Sequence, residues 1–260
     1  MADTIILIHG MWAGPWCWDN YRRVLEARGY RCIAVTLPYH DMNPKAAPDP
    51  CLGIVSMRDY VDAVDRQIRD EIAATGERPI LIGHSMGGLI VQMLAARGLV
   101  RAAVLLTPAA PAGIMALKGS VIRSFLGLLH IWAFWRKPIP TDFRQSAYST
   151  LHLMPPQAQR EIVDKLGYES GRAIFEIGFW LFDRRRVTHV DADKVRCPML
   201  VIGAEHDRIV PASVVRQVAH KYRRVASYRE LAGHAHWVVG EPGWEAIADS
   251  VADWLAKNAG

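Results

Sequence analysis

The chain has 260 residues, 51% of them hydrophobic and 22% charged, with 31 Lys and Arg against 26 Asp and Glu. That balance excludes disorder, and 20 Gly and 15 Pro with no fixed-period repeat exclude a fibre. A net charge of +5 is mild for this length, and no dense Lys/Arg block marks a nucleic-acid face.

In chain order, the first predicted strand is 4–8, T-I-I-L-I, running into His9-Gly10. A helix is predicted at 18–27, a strand at 31–36 and a long helix at 57–74. In the long helix, Tyr60, Val61, Val64, Ile68 and Ile72 form one apolar stripe, with Asp62, Asp65, Arg66, Arg69 and Asp70 mostly opposite. Strands follow at 80–83 and 102–106, with a helix at 88–96 after the first of them. The last third holds strands at 199–203 and 227–230, and helices at 213–221 and 244–256. The strands are apolar runs without polar alternation, as in a parallel sheet buried on both faces. Alternating strands and helices predict an α/β class with a doubly wound, mostly parallel sheet.

Residues 112–190 break the rhythm. They hold no clear strand, are helical in tendency and carry Pro138, Pro140, Pro155 and Pro156. The expectation is a helical cap, inserted over the carboxyl edge of a core built from 1–111 and 191–260; a peripheral helical layer is the plainer alternative. Cys17, Cys32, Cys51 and Cys197 lie far apart, without C-x-x-C spacing. The N-terminus lacks the basic flank and cleavage site of a secretory signal. Both features predict a reducing, cytoplasmic location. The most apolar later stretch, 121–135, is too short and too polar to span a bilayer.

The strongest local signal is Gly83-His84-Ser85-Met86-Gly87, followed by Gly88, directly between a predicted strand and a predicted helix. G-x-S-x-G needs that context, because a nucleophilic serine must sit on a tight strand-to-helix turn. Gly83 and Gly87 let the chain turn, and the helix N-terminus offers N–H groups and a positive dipole end to a developing anion. Ser85 is therefore the candidate nucleophile. It needs a base to take its proton and a carboxylate to orient that base, expected later in the chain in the order acid, then histidine. Glu205 and Asp207 follow the strand at 199–203, and His234 and His236 compete as the base. Oxyanion stabilisation is expected from the backbone N–H groups of Met86 and Met11. His9 is read as an orienting residue of the Met11 loop, and Trp12, His84 and the losing histidine as lining the site. A metal reading of H-A-H needs further ligands that no motif supplies, so neither metal nor cofactor is expected.

At L-I-H-G-M-W, G-H-S-M-G-G, G-A-E-H-D-R-I-V-P and A-H-W-V-V-G-E-P-G-W, in that order, the chain resembles the α/β-hydrolase superfamily. The opening H-G-M-W-A-G-P-W-C-W looks like the branch of small-ester hydrolases, hydroxynitrile lyases and related capped enzymes. The resemblance implies a Ser85–His236–Asp207 triad and an acyl-enzyme mechanism without a cofactor. Its acid loop, G-x-x-x-D with Pro four residues on, favours Asp207, and its base usually stands five residues before a Glu, which favours His236 before Glu241 over His234. The usual antiparallel hairpin before the H-G strand is expected to be absent, and Ser at the nucleophile position argues against dehalogenase and epoxide hydrolase chemistry.

The expected substrate is a small-to-medium carboxylic ester, because 11 of the 23 aromatics fall in residues 112–190. A hydroxynitrile lyase, a carbon–carbon hydrolase or a perhydrolase would use the same triad, and a ligand receptor could be built on the same scaffold. Residues 112–190 also carry 11 Lys/Arg against 6 Asp/Glu, and the rest of the chain is balanced. Arg184-Arg185-Arg186 supply much of that excess, read as a solvated surface or as a weakly basic lid steering an anionic ester or acyl carrier.

Overall fold

The computed structural model describes residues 3–116 and 118–259; Met1, Ala2, Leu117 and Gly260 lie outside them. Six strands form the main sheet: β1 (Thr4–Ile8), β2 (Arg31–Ala34), β3 (Ile80–His84), β4 (Ala103–Leu106), β7 (Met199–Ala204) and β8 (Ala226–Leu231). Their order is β2-β1-β3-β4-β7-β8, and every pairing is parallel. Helices α1 (Asp19–Ala27), α2 (Met57–Thr75), α3 (Met86–Ala95), α8 (Ala212–Lys221) and α9 (Trp244–Asn258) cover it. This is the α/β-hydrolase architecture expected.

The sheet divides its apolar residues by alternation. Ile6, Ile8, Leu81, Leu105 and Val201 pack with α2, α3 and α8 on one face. Ile5, Leu7, Ile80, Ile82, Val104 and Leu200 pack with α1 and α9 on the other. Both faces are dry, which is why the central strands read as continuous apolar runs. The edge strands β2 and β8 are only partly buried. One residue departs from the expected α2 stripe. Asp65 is buried, and its charge is met by Arg69 and Arg97.

The chain runs outward from β1 to β2 and then returns to β3 on the other side of β1. The carboxyl ends of β1 and β3 therefore border a topological switch point, where open α/β sheets bind ligands. The loop after β1 and the turn at Ser85 meet there. A Cβ on Gly87 would overlap the carbonyl oxygen of Ile8, and one on Gly83 would overlap the carbonyl of Gly87. Backbone lies on both sides, so nothing flexible can give way. Gly87→Ala is expected to destabilise the protein by about 3 kcal/mol or more, or to leave it insoluble. Gly119→Ala, where a Cβ meets nothing within 4 Å, should stay within about 1 kcal/mol of wild type. Urea denaturation of the two variants checks the contrast.

Between β4 and β7 stand the helices α4 (Gly119–Phe125), α5 (Phe143–Ser149), α6 (Pro156–Val163) and α7 (Gly171–Gly178). The expectation of no strand here is corrected. β5 (Pro138–Pro140) and β6 (Tyr168–Ser170) pair antiparallel as a two-stranded ribbon. Three residues with a proline at each end carry no strand periodicity, and the ribbon depends on partners 28 or more positions apart. No helix among the described residues is long and apolar enough to cross a membrane.

Candidate active site

Ser85 joins β3 to α3 with φ 55° and ψ −119°, a conformation that side chains rarely adopt. The backbone holds it there. Ser85 N–H donates to Leu106 O at 3.0 Å, and Ser85 O accepts from Gly88 N and Ala109 N, each at 2.9 Å. Its hydroxyl has no hydrogen-bond partner among the described residues. Met86 N–H opens α3, where the first N–H groups have no acceptor one turn earlier.

The loop after β1 runs against this turn. A Cβ on Gly10 would stand 3.0 Å from Ser85 Cβ, so only glycine allows the approach without displacement. His9 fixes the next peptide. Its Nε2 accepts from Leu37 N at 3.3 Å, which leaves Nδ1 protonated to donate to Gly10 O at 2.8 Å. In a planar trans peptide the following N–H, that of Met11, points opposite to that carbonyl. Trp12 comes next, in the left-handed region at φ 60°.

Asp207 lies buried in the turn after β7. Its Oδ1 accepts from Ile209 N and Val210 N, both at 2.8 Å, and its Oδ2 accepts from His236 Nδ1 at 2.7 Å. The two backbone donors set the carboxylate's angle, and the carboxylate sets the imidazole's. His236 is buried too, and its carbonyl accepts from His84 Nε2 at 2.8 Å and Thr107 Oγ1 at 3.2 Å. The rings of His84 and His236 stand 4.9 Å apart. The structure thus brings His236 and Asp207 into direct contact and sets His84, next to Ser85, against His236. It does not place Ser85 Oγ in hydrogen-bond contact with His236.

The competing residues go elsewhere. Glu205 is exposed and accepts from Gly233 N at 2.9 Å. His234 Nδ1 pairs with Glu241 Oε1 at 3.0 Å, and the same oxygen accepts from Ala235 N at 2.9 Å. Burial raises the Glu241 pKa against the pull of these partners. The glutamate five residues beyond His236 therefore engages the other histidine and braces the loop. Among the described residues no cluster of three His, Cys, Asp or Glu side chains is arranged to hold a metal ion. Arg184, Arg185 and Arg186 line a cleft of about 1250 Å³ with Ile54, Arg97 and Trp135. None of Ser85, Met86, Asp207 or His236 lines it.

Thr107 is the residue that the sequence does not reveal, since a threonine that bonds a distant carbonyl leaves no spacing to read. His9 and His84 also make a pH prediction. Burial, with smaller contributions from neighbouring histidines, lowers both from 6.5 to about 3. Both are neutral in the folded protein, while the unfolded chain takes up their protons below pH 6.5. The stability they contribute is present above that pH and is lost as pH falls toward 3, each by up to about 1.4 kcal/mol per pH unit. Urea denaturation at intervals from pH 7 to pH 4 checks this, and a flat profile over that range overturns the neutral assignment.

The model of the alpha/beta hydrolase family matches residues 5–249. A rice protein (Oryza sativa subsp. indica) named probable esterase PIR7A is 33% identical over 111 residues, 41% of this chain. The matched stretch spans 39% of that protein's length. Among solved structures, the monoacylglycerol lipase of Paleococcus ferrophilus superposes with a TM-score of 0.69 at 21% identity, covering 98% of this chain and 94% of that one. A pyrethroid hydrolase from Sphingobium faniae JZ-2 gives 0.69 at 22% identity, covering 98% of both chains. At such identities the superpositions speak to the fold, which they share from end to end. With the family model covering nearly the whole length, and the strand order and the tight turn at Ser85 in place, the chain belongs to the alpha/beta hydrolase family.

Proposed function

We propose that the protein is a serine hydrolase acting on small-to-medium carboxylic esters. The observation that carries this reading is the buried His236–Asp207 hydrogen bond of 2.7 Å beside a serine held at φ 55°. In the proposed reaction, Ser85 Oγ attacks the ester carbonyl while His236 Nε2 takes its proton. Asp207 holds the Nδ1–H tautomer and stabilises the imidazolium. Hydrogen bonds of this kind commonly tighten only when substrate is bound, which accommodates the free Ser85 hydroxyl. Met86 and Met11 N–H stabilise the oxyanion, each contributing about 3 kcal/mol. His236 then protonates the leaving alcohol, and water, activated by the same base, releases the acid. No step needs a cofactor.

Residues 112–190 act in this reading as a cap over a core of 1–111 and 191–260. Leu128, Phe134, Ile139 and Ile174 form an apolar cluster of their own, with Met11 and Trp12 packed against it. That contact puts apolar surface next to the proposed oxyanion loop, which suits an apolar acyl group. The rice relative named as a probable esterase supports an ester as the substrate class. The four free cysteines support a reducing, cytoplasmic location.

A panel of p-nitrophenyl esters from acetate to octanoate tests the proposal, and no turnover of any member removes it. Adding the anionic succinate monoester beside neutral butyrate tests steering by the cap's charge. Steering predicts a kcat/KM for succinate that falls about twofold or more between 20 and 200 mM salt while butyrate stays level. The panel also separates ester hydrolysis from a lyase or carbon–carbon hydrolase on the same residues.

A further inference from the structure

We propose that Glu169, in the ribbon strand β6, is a positioning residue that straps the Met11–Trp12 backbone in place from the cap side. The inference rests on the reading of Met11 N–H as an oxyanion donor.

Glu169 is fully buried although it belongs to the inserted segment. Four donors converge on its carboxylate. Oε1 accepts from Tyr60 OH at 2.7 Å and from Ser170 N at 2.6 Å. Oε2 accepts from Trp12 N at 3.4 Å and from His40 Nε2 at 3.3 Å. His40 Nδ1 donates to Pro38 O at 3.0 Å, which turns its Nε2 toward the Glu169 carboxylate. Burial works against a charged His40, but the proximity and hydrogen bond of Glu169 outweigh it and raise the His40 pKa. The ribbon adds two further bonds. Trp12 O accepts from Gly167 N at 2.8 Å, and Trp12 Nε1 donates to Ile139 O at 3.0 Å.

The N–H, the carbonyl and the indole N–H of Trp12 are thus all taken by residues of the ribbon region. Trp12 needs such restraint. Its φ of 60° is a conformation that a bulky residue holds only when its surroundings over-determine it. Released, Trp12 would relax and carry the adjoining Met11 N–H with it. His9 fixes the Gly10–Met11 peptide from the core side, and Glu169 fixes the next one from the cap side. An oxyanion donor is useful only when its direction is set before the charge develops.

Glu176 supplies a matched comparison. It is the same side chain, equally buried in the same inserted segment, and it also reaches the core. Its partners are Ser56 Oγ and Met57 N, at the start of α2, and Arg172 one turn earlier in α7, and none of them belongs to the Met11–Trp12 loop. A merely structural role would make Glu169→Gln and Glu176→Gln behave alike.

The experiment compares these two variants of the full chain by urea denaturation, hydrogen exchange of the peptides covering 9–13 and 165–168, and kcat and KM on the best ester of the panel. Both variants are expected to lose stability. Only Glu169→Gln is expected to speed exchange at 9–13 and 165–168, and to lower kcat by about tenfold to a hundredfold with KM within about threefold. Equal exchange in the two variants overturns the strap. Faster exchange with unchanged kcat also overturns the positioning role. The exchange contrast without any wild-type turnover removes the ester reading instead and leaves the strap standing. Should Glu169→Gln fail to fold, Trp12→Phe cuts the Ile139 bond from the same strap and leaves the buried carboxylate intact. It is then expected to speed exchange at 9–13 and lower kcat several-fold, and wild-type values for both overturn the proposal.

Discussion

Ser85→Ala is expected to lower kcat for the best ester by about 10⁴-fold or more, with little change in KM. A fluorophosphonate should label the wild-type protein and leave the variant unlabelled. The size follows from what the substitution takes away. The hydroxyl is the only atom that can form the acyl-enzyme bond in the proposed route, so without it the remaining groups can only position substrate and stabilise charge. The variant should fold. Alanine meets the same backbone strain at φ 55° as serine, and the four backbone hydrogen bonds that hold residue 85 do not involve its side chain. The free state of Ser85 Oγ means that no hydrogen-bond network is broken by its loss. Equal denaturation midpoints for the two proteins would therefore assign the lost turnover to chemistry. Turnover retained by Ser85→Ala sinks the nucleophile, and absence of label on either protein points to a receptor on a hydrolase scaffold.

The parts of this molecule that could be read in the sequence are those whose physics is local. β1, β3, β4 and β7 are fully buried, so all of their residues but the terminal Thr4 and His84 are apolar, and each strand stands out against its flanks. The turn at Ser85 is legible because glycine is required at 83 and 87 by backbone contacts that no side chain could tolerate. β2 and β8 were harder to bound, since partial exposure mixes their composition; β2 ends at Ala34, two residues short of the expected strand. What could not be read depends on contacts between distant segments. Glu169 stands in Y-E-S, an unremarkable surface pattern, yet it is buried by Tyr60, His40 and Trp12 from three other stretches. Asp65 looks like part of a solvated face until Arg97 arrives from beyond α3. The spacing of Glu241 from His236 matches the superfamily, while the contact it makes is to His234. Spacing reports which residues travel together; the partner is decided by where the loop folds.

His236→Ala is expected to cost as much as the loss of Ser85, about 10⁴-fold or more in kcat, and Asp207→Asn about 10⁴-fold. His234→Ala should stay within about tenfold. The two histidines each face a carboxylate, so the presence of a partner does not separate them. What separates them is the rest of the surroundings. Asp207 is aimed at His236 by two backbone N–H groups at 2.8 Å, and the His236 carbonyl is held by His84 and Thr107, residues that adjoin the serine turn and the end of β4. His236 thus belongs to the same rigid unit as Ser85. His234 is tied to Glu241, whose other donor is Ala235 N, so that pair closes a loop upon itself. Removing it loosens the loop carrying His236 without removing the base. Residues that act as one unit are not additive, so the Ser85→Ala, His236→Ala double variant should fall no further than either single variant. Steady-state kinetics on the four variants, with the double variant as the control for a shared step, reads the assignment. A loss in His234→Ala equal to that in His236→Ala, together with a further drop in the double variant, would move the base to His234 and leave the buried Asp207–His236 bond as a structural brace.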